Sequence, residues 1–493
     1  MFIIASLYRE LFSLNIGNNE MRSRHINPVV FFVCLSTLPF LSSCGGRAEN
    51  SDPKNTARFI APKLYTVGAA RSGSTPSSAS SVAEQISIHS TGPVKSLDLY
   101  HAANAAVSWY PSIQEAFIRI SQQESAVMEA RTGYLPKLEM AGSIGALNTG
   151  SAAPNAYIAL NTTQMIYDFG KVASQVNIAE SGVAGRHAQM SMAVESVAHE
   201  TAVALIEVLR HQKLLNVLNQ QLLDINSLYR LIQARANRGG SPHADLLQAQ
   251  VRKQAAEAML VAVRDQLAHW SEVLRQLTRV NFKSLSSALP SWTENACLSN
   301  KIDWAKLPVI RRQRAERDAA NAQLNLAKAE GHPTLSLATG VKAESNDIGQ
   351  DDVVYTVGLK LSGNLYDGGV GRARRNMATQ ALKALEAGEA KIKTETERQL
   401  QDIAAQLTGK RKAKQSLQMR QATMVKARHI FQKQYLELGT RTLIELLNSD
   451  RELSSARLES VNIEFDIHKL NIDCALYGGE ILNLLQIKHF YNQ

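Results

Sequence analysis

The residues of this chain that could do chemistry are charged side chains beside glycine-containing turns. Arg441 and Glu445 follow Gly439 and lie four residues apart, so a helix that starts here would bring their opposite charges together. Asp245 follows Gly239 in a similar position in the first half of the chain. An exposed pair of this kind contributes only about 0.3–0.5 kcal/mol to stability. The chemistry is that of a contact that can form and break, with no covalent bond made or cleaved.

Patterns typical of enzymes are missing from the sequence. It contains no paired metal-ligand spacing, no nucleophile elbow and no phosphate-binding loop. The twelve histidines are scattered, and His187, His199 and His429 fall on long predicted helices, where surface or packing roles are expected. The net charge is +10, and its lysines and arginines alternate with acidic residues, which favours solvated helix faces over nucleic acid binding. We therefore predict a protein that is not an enzyme, needs no cofactor or metal and binds no nucleic acid.

The N-terminal sequence predicts export from a bacterial cytoplasm. A basic segment beginning at Met21 precedes the apolar run Val29–Leu41, which is too short to span a bilayer as a helix. The following Ser-Ser-Cys-Gly resembles a bacterial lipoprotein signal in which Cys44 carries lipid, and an ordinary secretory peptide cleaved nearby is the alternative. We predict a signal peptide over residues 1–43 and a flexible tether rich in Ser, Ala and Thr over residues 44–93.

Two cysteines, Cys297 and Cys474, lie downstream of this signal. An exported protein enters an environment in which disulfides can form. Free buried thiols are the favoured interpretation, and a disulfide between the two cysteines is the alternative.

Long predicted helices alternate with pairs of predicted strands. The segment Lys171–Asn237 contains no proline and carries Leu and Val at helical spacing, so it would form a helix about 100 Å long. Gly239 and Gly439 end the two longest helices. The predicted helices are Leu97–Arg131, Lys171–Asn237, His243–Arg279, Asp303–Ala329, Arg372–Leu438 and a last one ending near Leu476, and the predicted strands are Leu138–Leu147, Ala156–Tyr167, Thr334–Ala343 and Val353–Tyr366.

The second half of the chain repeats the first at a period of about 200 residues. Ile166-Tyr167-Asp168-Phe169-Gly170 returns as Leu365-Tyr366-Asp367-Gly368-Gly369, and Gly239 with Asp245 returns as Gly439 with Glu445. A period this long indicates a duplicated domain and excludes a solenoid of short units. The predicted domains are a first repeat over residues 94–290, a connector over 291–304, a second repeat over 305–478 and a tail over 479–493.

The predicted strands alternate apolar residues with small or polar ones. Val353–Leu365 keeps this period of two throughout, whereas Thr162 and Gln164 interrupt the apolar face of the first repeat. A transmembrane β-barrel and an ordinary half-buried sheet share the pattern. No stretch after the signal reaches the roughly 18 apolar residues of a membrane helix, so a membrane crossing would use strands. Four strands cannot close a membrane barrel, which predicts assembly with further copies of the chain.

Together these features resemble the TolC-like family of outer-membrane channel proteins over roughly residues 97–485. The most specific motif is Gly439-Thr440-Arg441-Thr442-Leu443-Ile444-Glu445-Leu446-Leu447, which is similar to the family's helix turn at the inner end of its second repeat. Leu470-Asn471-Ile472-Asp473-Cys474-Ala475-Leu476 is similar to the segment that closes the family's last helix. Tyr167-Asp168-Phe169-Gly170 and Tyr366-Asp367-Gly368-Gly369 match the motif that leaves each second strand.

The resemblance implies an α+β membrane protein that works as a homotrimer. Each protomer would give four transmembrane β-strands to a twelve-stranded barrel surrounded by outer-membrane lipid, and its long helices would form an α-helical barrel across the periplasm. The inner end would dock on a periplasmic adaptor (a membrane fusion protein) and on an inner-membrane pump, either an ABC transporter or a proton-driven one. Cargo would pass unchanged through a passive duct.

The resemblance also implies roles for residues at the helix tips. The family closes its tunnel with an arginine–carboxylate network, which gives Arg441, Glu445 and the tip carboxylate Asp245 a gating role; a local pair within one chain is the alternative for the first two. The family's second carboxylate falls on Asn448, and its gating tyrosine falls on Leu436, one residue from Tyr435, so both positions depart from the pattern. The adaptor would contact Gly239, Gly240, Gly439 and Thr440, and strand-to-helix corners would contain Asp168, Gly170, Asp367 and Gly369, with the aspartates capping the helices.

We therefore expect the outer-membrane channel of a tripartite export system, gated at its periplasmic tips and lipid-anchored through Cys44. A periplasmic coiled-coil adaptor without a membrane barrel is the alternative, and a peptidoglycan-bound structural lipoprotein is a third hypothesis. The duplicated strand pairs favour the channel over both. Two features give opposite indications of the cargo. A lipid anchor is typical of drug-efflux members of the family, whereas the Gly-Thr-Arg-Thr tip resembles that of type I secretion members, and secretion is favoured.

Overall fold

The computed structural model of the protein describes residues 96–145, 155–298, 302–345 and 351–487. The predicted signal peptide, the tether and Cys44 lie outside these residues. Within them, no helix carries an apolar stretch long enough to cross a membrane. The described residues form a four-stranded sheet and two long helical hairpins, one hairpin from each repeat.

The long helices follow the predicted order, but the sequence pattern predicted neither a break in the first helix nor the short helices Trp292–Asn295 and Ile481–Leu484. The first predicted helix divides in two because Pro111 holds Tyr110 in an extended conformation, with ψ of 130°. The prediction of a continuous helix over residues 97–131 is therefore wrong. The long helix α3 has the predicted bounds because no proline interrupts it. The helices are α1 (Leu99–Trp109), α2 (Pro111–Arg131), α3 (Lys171–Asn237), α4 (His243–Thr278), α5 (Trp292–Asn295), α6 (Pro308–Ala329), α7 (Val370–Lys433), α8 (Leu443–Tyr477) and α9 (Ile481–Leu484).

Strands from both repeats form one antiparallel sheet in the order β1-β2-β3-β4. The central pair, β2 and β3, comes from different repeats, so the sheet joins the two copies of the duplicated domain. The outer strands β1 and β4 each pair with a single neighbour within the described residues. The strands are β1 (Lys137–Gly145), β2 (Asn155–Tyr167), β3 (Thr334–Ser345) and β4 (Asp351–Ser362).

The strand register gathers apolar residues on one face of the sheet. Met140 pairs with Leu160, Leu160 with Val341 and Val341 with Tyr355, so a row of apolar side chains crosses all four strands. In one protomer Met140 is 79% and Tyr355 75% exposed. An exposed apolar face of this extent marks a surface that contacts lipid or another protein. A row on the opposite face consists of Glu139, Asn161, Gly340 and Thr356.

The same carboxylate turn joins the sheet to the long helix in both repeats. Asp168 accepts hydrogen bonds from the N–H groups of Gly170 (2.9 Å) and of the residue two further on (2.7 Å). Asp367 accepts them from Gly369 (2.9 Å) and again from the residue two further on (2.6 Å). The two glycines occupy the N-cap positions with φ of 89° and 92°, which glycine adopts without strain. The aspartates therefore bind the first-turn N–H groups of α3 and α7, although glycine holds the cap position itself.

Cys297 and Cys474 form a disulfide, with their Cα atoms 5.6 Å apart. The expectation of free thiols is therefore wrong. Cys297 follows the short helix α5 in the connector between the repeats, and its N–H group donates to the side-chain oxygen of Asn471 on α8 (3.4 Å). The two cysteines, 177 residues apart in sequence, meet because the connector packs on the end of α8.

Candidate functional site at the hairpin tips

The first tip, residues 238–242, joins α3 to α4. Gly239 has φ of 75°, and the N–H group of Gly240 donates to the carbonyl oxygen of Arg235 (2.8 Å), so this turn satisfies the carboxyl end of α3. Asp245 lies half-buried in the first turn of α4, where a negative charge is favourable. The structure thus brings the predicted tip residues Gly239, Gly240 and Asp245 together at the end of the first hairpin.

The second tip, residues 439–442, joins α7 to α8 after a π-helical turn over Gln434–Leu438. Gly439 has φ of 65°, and the N–H group of Thr440 donates to the carbonyl oxygen of Gln434 (3.1 Å). Thr442 caps α8 in a reciprocal pair: the N–H group of Glu445 donates to Thr442 Oγ1 (3.4 Å), and the N–H group of Thr442 donates to Glu445 Oε2 (3.0 Å). This capping box fixes the point at which α8 begins.

Arg441 and Glu445 form a local ion pair within one chain. Arg441 Nη1 donates to Glu445 Oε1 over 2.6 Å, and the guanidinium group lies 4.6 Å from the centre of the Phe431 ring. Hydrogen bonds from the Thr442 N–H group and from the Arg441 side chain lower the pKa of Glu445, so this carboxylate stays ionised at neutral pH. The local pair is present in one chain, and the role of the two residues in a gate stays a prediction.

Two arginines of the first hairpin contact the second hairpin near its tip. Arg235 of α3 donates to the carbonyl oxygen of Tyr435 (3.3 Å) and lies 5.3 Å from the centre of its ring. Arg252 of α4 donates to Asn448 Oδ1 (3.2 Å). Asn448 therefore meets an arginine of the other hairpin, and Tyr435, rather than Leu436, provides the aromatic contact. The hairpins also share a buried apolar cluster of Leu228, Ile232, Ala249, Tyr435, Leu443, Leu446 and Leu447.

A further contact between the hairpins, the Arg428 cluster (Arg428, Asp224 and Asp450), was missed by the sequence reasoning. Arg428 of α7 pairs through Nε with Asp450 of α8, and through Nη1 with Asp224 of α3 at 3.6 Å. The side chain of Asp450 is 14% exposed, and those of Arg428 and Asp224 are 24% and 29% exposed. Burial raises the pKa of Asp450, and Arg428 opposes that rise. One arginine thus holds three helices together.

A signal for this cluster was present in the sequence. Asp450 lies one helical turn after Leu446 and Leu447 and one turn before Leu453, so it falls on the apolar face of α8. A carboxylate on such a face requires a buried partner. The sequence pattern does not identify that partner, because the partner depends on how the two hairpins pack. The cluster also lines a cavity of about 20 Å³, which has room for one water molecule.

The chemistry available at the tips is the formation and breaking of ion pairs and hydrogen bonds. Across residues 96–145, 155–298, 302–345 and 351–487, no grouping of His, Cys, Asp and Glu could hold a metal ion. The helices α3 and α7, which lead from the sheet to the tips, are each about 100 Å long, so the tips lie far from the sheet.

Comparison with known proteins gives one family match for both repeats. Residues 103–278 and 305–470 match the family described as "Outer membrane efflux protein". The nickel-cobalt-cadmium resistance protein NccC of Alcaligenes xylosoxydans xylosoxydans is 25% identical over 295 residues, which cover 57% of this chain and 62% of that protein. The chain thus spans less than two thirds of this relative.

Two further similarities cover more of the chain. The outer membrane protein TolC of Vibrio cholerae serotype O1 is 22% identical over 361 residues, which cover 69% of this chain and 81% of that protein. The solved structure of the outer membrane protein VceC from Vibrio cholerae superimposes with a TM-score of 0.68 at 18% identity, covering 77% of this chain and 96% of VceC. This last similarity concerns the fold.

Proposed function

This chain belongs to the outer membrane efflux protein family, and we propose that three copies of it assemble into a passive duct across the periplasm and the outer membrane. The family match supports an outer-membrane export channel, the class of protein that the motifs predicted, and the alternative of a periplasmic adaptor is not supported. The observation that carries the proposal is the sheet, whose apolar face is exposed. Within the described residues its outer strands, β1 and β4, are paired on one side only.

The open edges of the sheet support assembly with further copies. A strand edge in lipid leaves backbone N–H and C=O groups without partners, at several kcal/mol for each group. Pairing β1 of one copy with β4 of the next removes every such edge. Three copies give twelve strands, the number that the TolC-like resemblance implies. Each repeat then supplies two strands and one hairpin, which gives the trimer a sixfold pseudo-symmetry.

We propose that the tips are both the gate and the docking surface for a periplasmic adaptor. The Arg441–Glu445 pair and the Arg252–Asn448 hydrogen bond lie within reach of such a partner, and the exposed turns at Gly239 and Gly439 offer backbone groups to it. An inner-membrane pump, ABC or proton-driven, supplies the energy for efflux or secretion. We also propose that lipid on Cys44 anchors the chain. The name of NccC makes nickel, cobalt and cadmium ions the first cargo to assay beside secreted proteins.

Placing a charge on the apolar face of the sheet tests the proposed membrane barrel. Val357 lies at the middle of β4 and is 79% exposed in one protomer. Arginine at the middle of a lipid-facing strand costs about 2–4 kcal/mol, so Val357→Arg is expected to reduce the amount of assembled trimer recovered from outer membranes. The measurement is trimer yield after membrane fractionation.

The neighbouring residue provides a matched control. Thr356 points to the opposite face, toward Gly340 on β3, so Thr356→Arg would place the same charge on the water-filled side. It is expected to leave the trimer yield unchanged. Equal losses for the two variants would contradict a lipid-facing assignment of the apolar face.

Removing Arg441 tests the proposed gate. Arg441→Ala is expected to raise the conductance of the closed channel severalfold in planar bilayers, because it removes the basic member of the proposed arginine–carboxylate gate at the tip. The control is Arg398→Ala, which removes a more exposed arginine that is paired with Glu395 on α7, far from the tip. Unchanged closed-state conductance in Arg441→Ala would place the gate elsewhere.

A further inference from the structure

A cavity of about 430 Å³ lies roughly two fifths of the way along the two long helices α3 and α7, counted from their N-terminal ends. Helix α6 begins beside it, and helix α8 ends beside it, and both of these helices pack on α3 and α7. Small-molecule sites in proteins usually measure about 300–1,000 Å³. The cavity is therefore large enough for a small organic ligand.

Equivalent turns of the two repeats face each other across this cavity. Residues of α3 and residues of α7 about 200 positions later both line it. The pairs are Met192 with Ile392, Glu195 with Glu395, and His199 with Gln399. The cavity is thus a product of the duplication, and differences between its two halves are differences between the repeats.

The two equivalent glutamates have opposite surroundings. Glu395 is exposed and accepts a hydrogen bond from Arg398 at 2.6 Å, which lowers its pKa. Glu195 is 8% exposed and has neither a hydrogen bond nor an ion pair within 4.0 Å among the described residues. Burial raises the pKa of Glu195 to about 7, and the positive charge of Arg311 only partly opposes this. A buried carboxylate that lines a cavity without a hydrogen-bond donor is suited to a ligand that supplies one.

We propose that this cavity binds an amphipathic organic cation, with its ammonium group against the Glu195 carboxylate. Apolar side chains line the space for the body of such a ligand, namely Leu307 just before α6, Ile392 of α7 and Leu476 of α8. The proposal rests on four helices of a single chain and extends beyond the export function.

The other charged groups near Glu195 explain the preference for a cation. Arg311 of α6 donates to Ser191 (2.9 Å), and Lys391 of α7 lies close enough to Glu395 to lower its pKa. His199 of α3 contacts Asp473 of α8 at 2.7 Å. His199 thus has Asp473 as its partner and Lys391 lies near Glu395, whereas Arg311 hydrogen-bonds to the neutral Ser191 hydroxyl and acts on Glu195 without forming an ion pair within 4.0 Å. Glu195 therefore has no direct cationic partner among the described residues, and the ammonium group of a ligand would supply one. The titratable and charged groups that face it are His199, Arg311, Lys391, Glu395 and Asp473.

Three aromatic probes of similar shape test the site. 1-Naphthylethylamine is a cation, 1-naphthylethanol is neutral and 1-naphthylacetate is an anion. With the purified full-length trimer in non-ionic detergent at about pH 8, equilibrium dialysis against empty micelles is expected to show the amine bound about tenfold more tightly than the alcohol. The acetate is expected not to bind. Equal binding of amine and alcohol, stronger binding of the acetate, or no binding of any probe would overturn the proposal.

Matched variants assign the selectivity to one carboxylate. Glu195→Gln is expected to remove the preference for the amine, whereas Glu395→Gln, the equivalent change in the second repeat, is expected to keep it. Loss of the preference in Glu395→Gln alone would overturn the assignment. Should Glu195→Gln fail to assemble, the wild-type protein still provides a test, because ionisation of Glu195 should strengthen amine binding between about pH 6 and pH 8. A preference independent of pH would then count against Glu195.

Discussion

Replacing Arg428 with methionine is expected to lower the free energy of unfolding by about 3 kcal/mol. Methionine retains an apolar chain of similar length but leaves Asp450 and Asp224 without their shared partner. Removing one member of a buried ion pair costs about 3–5 kcal/mol, and the residual exposure of the cluster places the expected value at the lower end. The measurement is thermal or urea unfolding of the purified protein, followed by the helical circular dichroism signal.

The control for this change lies on the same helix. Arg420 is exposed, so Arg420→Met is expected to change the unfolding free energy by less than about 0.5 kcal/mol. The double variant Arg428→Met/Asp450→Asn should recover part of the loss, because asparagine carries no charge that needs a partner. Similar losses for Arg428→Met and Arg420→Met would show that the cluster contributes little.

The pH dependence of the Arg428→Met deficit has a defined sign. Burial raises the pKa of Asp450 in the folded protein, and the arginine is the main influence that opposes this rise. Without the arginine, the folded protein binds a proton on Asp450 more readily than the unfolded chain does, so acidification favours the folded state. The deficit relative to the wild type should therefore shrink as the pH falls from about 8 to about 5. A deficit that grows on acidification would contradict this assignment.

The Arg428 cluster also bears on the proposed gate. It ties α3 of the first hairpin to α7 and α8 of the second, whereas the Arg441–Glu445 pair lies within a single hairpin tip. When the hairpins separate, the contact between Arg428 and Asp224 must break, whereas the Arg441–Glu445 pair can stay intact. Near the tips of one protomer, the contacts that resist separation of the hairpins include Arg428–Asp224, Arg252–Asn448 and Arg235–Tyr435. Further from the tips, α3 and α8 are also joined by ion pairs, namely His199–Asp473, Arg210–Asp466 and Lys213–Glu464.

The regular elements could be predicted because each is specified locally. Helix α3 is free of proline over its whole length, and β4 is marked by an apolar residue at every second position from Val353 to Leu361. The π-helical turn before Gly439 could not be predicted from the sequence, because one additional residue in a single turn hardly changes the spacing of the apolar residues. The break at Tyr110 was missed, although the residue before a proline avoids the helical conformation.

Contacts between the repeats could not be predicted, since they depend on how the two copies pack. The sequence shows that Asp450 is a charged residue on an apolar helix face, but it does not show which of the many arginines forms an ion pair with it. The same holds for Arg252, whose hydrogen bond to Asn448 crosses from one hairpin to the other. At the second tip, by contrast, Arg441, Thr442 and Glu445 interact within a few residues of one another, and the local pair was visible from spacing alone.

Removing the disulfide is expected to lower the free energy of unfolding by about 2–5 kcal/mol. The bond between Cys297 and Cys474 closes a segment of 177 residues. This segment contains both strands of the second repeat, β3 and β4, and most of the second hairpin. Loss of chain entropy in the unfolded state grows with the length of the closed segment, and for a segment of this size it approaches about 5 kcal/mol. Cys297→Ala/Cys474→Ala should therefore unfold at a clearly lower temperature than the wild type.

Reduction separates the effect of the covalent bond from that of the substituted side chains. Wild-type protein treated with dithiothreitol should unfold close to the temperature of the double variant, because both lack the bond. The double variant itself should not respond to dithiothreitol, since it has no disulfide to reduce. Intact mass provides a second readout, because reduction adds two hydrogens to the wild type and none to the double variant. A wild type whose mass and unfolding temperature are both unaffected by the reductant would show that these cysteines are free thiols. The connector would then be held on α8 by side-chain packing and by the Cys297–Asn471 and Thr293–His468 hydrogen bonds.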